Sequence, residues 1–395
     1  MEAASSRNAE PAPPRRRKLV VALIGFAALL GFVSTFAIWV NRQLLETDNW
    51  VQTSSELLED EAIRTELATF MVDTLFTNVN VQAELEQRLP KDLKPLAGPA
   101  AGGIRQLTDD LANEALQRPR VQQAWETINR AAHQNLITVV EEDTGEPVTI
   151  DVGTIVEQVG SEAGLDVADK LPPEAGQIEV IPADKLDTAR KIVNLLEELA
   201  FWLTALALLL FALAVYLAQG WRREALRGIG FAFIVMGIAV AAARGLAGDY
   251  VVETLATTAS LEPAVSDAWT ISTSLLSAGA GALIIYGIAI VIGAWLAAPG
   301  AVATAVRRAL TPVMETRMIG YGALLALLLV LFWWSPTEGF ERLAPSLVII
   351  VLFVAGFEAL RHQAVREFPD ETWEKGTERW RGAADSLADR LKGGD

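Results

Sequence analysis

Residues 19–40 read LVVALIGFAALLGFVSTFAIWV, twenty-two residues without one charge. Few structures accept such a run. It matches the roughly 20 helical residues needed to cross a hydrocarbon core of about 30 Å. Five more apolar runs follow, near residues 199–218, 228–248, 274–298, 318–334 and 346–360. The last two stand at or below the short end of the spanning range. SPTEGFERLAP between them is polar and marked by prolines, as in the turn of a helical hairpin. The 51% hydrophobic composition is concentrated in these runs. The expectation is a polytopic α-helical membrane protein with six transmembrane helices.

The connections orient it. Arg15, Arg16, Arg17 and Lys18 precede the first run, and Arg222, Arg223 and Arg227 separate the second and third. Arg307, Arg308 and Arg317 separate the fourth and fifth; Arg361 and Arg366 follow the sixth. The third connection holds Asp249, Glu253, Glu262 and Asp267 with no Lys or Arg. Basic connections stay on the cytoplasmic side, so both termini are expected there. The first run exceeds the length of a signal-peptide core and lacks a small-residue cleavage site, so an uncleaved anchor is expected.

That topology places residues 42–197 outside as one extracytoplasmic domain. It holds 29 Asp+Glu and 13 Lys+Arg, a net of −16, and the rest of the chain has 20 of each. An external face so acidic argues against nucleic acid as a partner. With no cysteine in the chain, its core must hold it without disulfides.

Residues 1–18 read as a disordered cytoplasmic tail, then 19–41 as the first transmembrane helix. The external domain opens with a helical lobe, 42–135. Leu57, Leu58, Ile63, Leu67, Phe70, Met71 and Leu75 recur at helical spacing, with Thr53 and Glu56 as a capping box and Asp60 as a second N-cap. VQAELEQRL is a helix stopped by Pro90, LAGPAAGG a loop, and two helices follow around RPR. A small α+β lobe, 136–183, is expected next. LITVV and PVTIDV form a hairpin with Asp143-Thr144-Gly145 at its tip, then come a short helix, TIVEQVGSEAG, and a strand in QIEVI. DKLDTARKIVNLLEEL is a helix leading into the second span. Residues 198–360 form a five-helix membrane domain. The tail, 361–395, carries Trp373, Trp380 and Leu387 at seven-residue spacing beside Leu391, an amphipathic cytoplasmic helix. It is expected on the inner leaflet, on a partner helix, or in solvent.

No motif of catalysis emerges. His133 and His362 fall on opposite sides of the membrane, and without cysteine neither has zinc partners of the usual kind. His133 lies one position past the stripe Val121, Trp125, Ile128, Ala132 and Leu136, near a helix C-terminus, and reads as structural. Glu141, Glu142, Asp143, Glu146 and Asp151 crowd the hairpin, but the calcium-loop spacing fails against Gly145 and a charged tip is expected. Nucleophile-elbow, P-loop and dinucleotide motifs are missing. No catalytic residue, cofactor site or metal site is therefore expected.

Charged groups at the ends of spans are the remaining candidates for a transport or interface role: Arg244 with Asp249 within reach, and Glu358 with His362 four residues on. Gly237, Ala241 and Gly245 form one small-residue ridge, and Thr273, Ser277 and Gly281 another. Such ridges read first as close helix packing, with a substrate-lining seam as the alternative.

LLETDNWVQTSSELLEDEAIRTELATFMVDTLF behind an N-terminal anchor, with RPRVQQAWETINRAAHQNLI further on, resembles a group of multi-pass membrane proteins of actinobacteria with a large extracytoplasmic domain after the first span. The likeness covers about half the chain and implies a bacterial cell-envelope protein in the plasma membrane. It implies no activity and no site residues. The reading is a non-enzymatic scaffold or sensor whose external domain binds an envelope component or responds to a condition outside. The alternative is a transporter or lipid-handling permease using the small-residue seam; a carboxylate hydrolase comes third. Expected partners are the lipid bilayer and either an envelope protein or a second copy of the chain.

Overall fold

A computed structural model describes residues 14–78, 81–141, 148–151, 177–181, 183–334 and 343–369. It is almost entirely helical. In order come α1 (Pro14–Leu45), α2 (Thr47–Glu59), α3 (Glu61–Asn78), α4 (Val81–Arg88), a 3-10 turn (Lys91–Leu96), α5 (Ala97–Leu116) and α6 (Pro119–Glu141). Two short strands follow, β1 (Val148–Asp151) and β2 (Gln177–Ile181), then α7 (Ala183–Leu217) and α8 (Arg222–Leu255). The chain continues through α9 (Leu261–Ser272), α10 (Ser274–Leu296), α11 (Ala301–Glu315), α12 (Arg317–Trp334) and α13 (Leu343–Glu367).

Five of the described helices are long and apolar enough to cross a membrane: Arg16–Leu45, Val193–Leu217, Arg222–Leu255, Ser274–Leu296 and Ser346–Glu367. A sixth arises only if α11 and α12, bent by 110° at their junction, count together as one span. The six-span expectation thus becomes five or six, and α12 is where the count turns. Its partner α11 is an amphipathic helix lying within what reads from sequence as a basic connection.

The chain divides into two compact units. The first comprises Met1–Val33, Leu203–Ala241 and Ser277–Asp395. Its core is built from small and medium apolar side chains: Val20, Ile24 and Ala27 of α1, Phe211 and Ala214 of α7, and Ala225, Ile229 and Met236 of α8. Its outward faces are no less apolar. Leu208, Leu209, Val235, Leu325, Leu329 and Leu352 are each more than half exposed. Helices that are apolar on all sides suit a hydrocarbon solvent rather than water.

Within this unit α8 and α10 touch through glycine. A Cβ on Gly237 would lie 2.6 Å from the Ala280 carbonyl oxygen, and one on Gly287 would lie 2.6 Å from that of Gly230. The seam is therefore real but falls on Gly230, Gly237, Ala280 and Gly287. Of the residues the sequence pattern singles out, Gly245 and Gly281 have open space where a Cβ would go.

The second unit comprises Ser34–Trp202 and Ala242–Leu276. Here α2 packs on α6, α3 on α5, α4 on α5, and α9 lies across α2 and α3. Asp60 separates α2 from α3; its carboxylate accepts from the Ile63 N–H at 3.0 Å, the N-cap expected there. Thr53 is no cap, because α2 already begins at Thr47; its hydroxyl instead accepts a 2.9 Å bond from the buried Gln43 amide. The buried face of α3 is Arg64, Ala68 and Val72, while Phe70 and Met71 of the expected stripe are exposed. The guanidinium of Arg64 donates to the Glu59 carbonyl at 2.8 Å and to Asn113 of α5 at 3.0 Å. LAGPAAGG is helical, mostly the first turns of α5, not a loop.

The expected hairpin is also corrected. LITVV continues α6 to Glu141, and β1 pairs antiparallel with β2, Thr149 opposite Glu179 and Asp151 opposite Gln177. A β-branched run inherits helix from a long amphipathic helix already packed on α2, since strand propensity is a weak local preference. The freed Val140 carbonyl near the end of α6 accepts from Arg190 of α7 at 2.8 Å. The rest of the hairpin tip, the TIVEQVGSEAG helix and the amphipathic tail with Trp373 and Trp380 lie outside the described residues.

Candidate functional site

In the second unit the most elaborate polar arrangement is the joint where α1 ends. A helix leaves its last carbonyls without intrahelical donors. Here α1 stops at Leu45, Glu46 is extended, and α2 starts at once. The chain supplies donors from elsewhere. Asn49 of α2 donates to the Arg42 carbonyl at 3.2 Å, and His133 of α6 donates through Nε2 to the Leu44 carbonyl at 3.0 Å.

That second bond sets the tautomer of the neutral imidazole. A carbonyl only accepts, so Nε2 carries the proton. Nδ1, 3.0 Å from Thr47 Oγ1, is left to accept from the threonine hydroxyl. His133 is 3% exposed, and the Trp50 ring stacks on it with centroids 5.2 Å apart. Burial pushes its pKa below the ordinary 6.5, partly opposed by the bond to Leu44. A neutral imidazole thus joins three elements: the last turn of α1, the first residue of α2, and α6. Since α6 runs on to Glu141, His133 sits inside a helix and not near its end.

Two polar contacts flank the joint. Arg130 of α6 pairs with Asp48 of α2 at 2.6 Å. Trp125 donates its indole N–H to the Ser54 hydroxyl at 2.9 Å. Beside them the buried Gln43 Oε1 has no hydrogen-bond partner among the described residues.

Arg244 donates to the Thr273 hydroxyl at 2.8 Å and to the Thr270 carbonyl at 3.4 Å, tying α8 to the end of α9. Asp249 is exposed and, among the described residues, has no ion pair with it. In the first unit Glu358 accepts from Tyr321 at 2.9 Å and from Arg361 at 3.1 Å. His362 is exposed, and Glu358 is held by those two residues instead. Arg361 also donates to the Met314 carbonyl at 2.8 Å, at the break between α11 and α12.

The residue that sequence reading places in a mere connection is Arg307, now 1% exposed. It sits on the buried stripe Ala303, Arg307, Thr311 and Met314 of α11. Its guanidinium donates to the carbonyls of Leu296 and Ala298 at the end of α10, the latter at 2.7 Å, and pairs with Glu367 at 2.8 Å. The spacing of Ala303, Thr311 and Met314 around it was the available signal.

Among the described residues no group of three or more His, Asp or Glu side chains is arranged to hold a metal ion. No family model, curated protein or solved structure matches the chain.

Proposed function

We propose that the chain is a non-enzymatic plasma-membrane protein of scaffold or sensor type, with residues 42–197 as an external domain that binds an envelope component or registers a condition outside. The observation that carries this reading is the His133 joint. It fastens the long helix α6 to the terminal carbonyls of the first apolar helix, so a displacement of α6 must pull on that helix end or break buried bonds. The acidic surplus of 42–197 and the arginines in the connections after the second, fourth and sixth apolar runs support the orientation. The likeness to actinobacterial envelope proteins supports a bacterial plasma membrane. The seam of α8 and α10 favours the permease reading less, because its glycines bring backbone against backbone and leave no room there for a substrate.

The absence of cysteine makes the topology directly testable. Glu126→Cys should react with a membrane-impermeant maleimide in intact cells, and Arg308→Cys only after lysis; the reverse pattern overturns the orientation. Native mass spectrometry of the full chain and of a variant lacking residues 47–190 then tests the role. A stoichiometric envelope component held by the first and lost from the second is the expected result. Identical species from both sink the scaffold reading.

A further inference from the structure

A pocket of 580 Å³ opens in the first unit between the start of α8 and the end of α10. Its walls carry exposed positive charge. Arg222, Arg223 and Arg227 line it, with Trp221 and Trp295. The one carboxylate on the lining, Glu224, is already paired with Arg17 at 2.7 Å. Among the described residues Arg222 and Arg227 have no ion pair or side-chain hydrogen bond, and Arg223 has only the field of Glu367. The Trp221 ring carries the Arg17 guanidinium on its face, 5.5 Å from the centroid.

At the end of α10, beside the pocket, three acceptors are taken. The carbonyls of Leu296 and Ala298 receive Arg307, and that of Ala297 receives Gln363 at 3.3 Å. The negative end of α10 is thereby neutralised by a buried cation. What remains is a surplus of donors and positive charge, set at the first turn of a 34-residue helix whose dipole adds to it. Gly220, at a φ of +87°, makes the turn that brings Trp221 to this position.

We propose that this pocket binds a phosphate-bearing anion, the headgroup of an anionic phospholipid. Arginine forks match phosphate oxygens, and two tryptophans at the end of apolar helices suit the headgroup level. Basic pockets between membrane helices take up such headgroups for these reasons. A soluble phosphate ester offers the same oxygens without the acyl chains, and the experiment separates the two sources.

Full-length protein in neutral detergent is titrated with phosphatidylglycerol and with phosphatidylcholine of matched chains, and bound lipid is counted by native mass spectrometry. Phosphatidylglycerol should bind more tightly, and each arginine removed should weaken it roughly fivefold while phosphatidylcholine is unaffected. The triple variant R222Q/R223Q/R227Q should lose the preference, and R222K/R223K/R227K should keep part of it. Should the triple variant not fold, R227Q alone should still show its fivefold loss. Excess inorganic phosphate that displaces the lipid assigns the site to phosphate itself; lipid that stays bound assigns it to the headgroup. Equal binding of the two lipids, or an undiminished preference in R227Q and the triple variant, overturns the proposal. The outcome does not depend on what residues 42–197 bind.

Discussion

Two apolar helices in this molecule end in the same way and differ in one respect. In the first unit α10 ends under Arg307, and in the second α1 ends under His133. Both side chains come from another helix, both are buried, and both donate to carbonyls that a helix terminus leaves free. Arg307 is a fixed cation balanced by Glu367. His133 is neutral, has no carboxylate bonded to its ring among the described residues, and relies on Thr47 to keep Nδ1 occupied. A guanidinium cap cannot be switched by protons in the physiological range. An imidazole cap can, because a proton on Nδ1 removes its acceptor and places a charge beside Trp50. The end of α1 is thus the conditional joint and the end of α10 the permanent one.

The largest effect should come from breaking the permanent cap. Arg307→Met orphans two carbonyls and takes from Glu367 its bonded cation, and should cost about 3 kcal/mol, allowing for the partial exposure of Glu367. The thermal midpoint of the full chain in detergent reads it; an unchanged midpoint would remove Arg307 from the account of the fold. Next comes the glycine seam of the same unit. Gly237→Leu forces α8 from α10, at about 2–3 kcal/mol of overpacking, whereas Gly245→Leu, with open space around it, should be close to neutral. Equal losses at both positions would mean that the close approach at Gly237 is not what holds the pair.

His133→Ala should cost about 2 kcal/mol, from a lost stack and an orphaned Leu44 carbonyl. The smallest effect is the pH dependence of the His133 joint. The folded pKa of His133 lies below its unfolded value, so the unfolded state takes up the proton first as pH falls. The wild-type chain should therefore lose stability as pH drops below about 6.5, fully only below the folded pKa. His133→Gln, whose amide can donate to Leu44 without titrating, should flatten that part of the profile. Parallel profiles for the two proteins would show that the joint is not the titrating element.

Much of the secondary structure was legible because apolar runs and helical stripes are local signals. Asp60 could be read as a cap from its place before Glu61, and α7 as one continuous helix through residue 198. LITVV could not be read, because packing of α6 on α2 overrides the strand preference of β-branched residues. Phe70 and Met71 misled because helical spacing marks an apolar face without saying whether anything covers it. Arg307 was hidden by its charge: a cation between two spans looks like a topology signal, and only a folded helix pointing it at the end of α10 makes it a cap.

The sequence alone determined that this chain is a multi-pass helical membrane protein, because a bilayer demands some 20 apolar residues per crossing and satisfies backbone groups only within helices. It also placed the acidic surplus in residues 42–197. Which polar side chains complete which helix ends was decided by tertiary structure. His133 lies 89 residues from the carbonyl it caps, and Gln363 lies 66 from its own. No local pattern encodes those pairings, since they exist only once distant helices have packed and left donors and acceptors facing each other away from water.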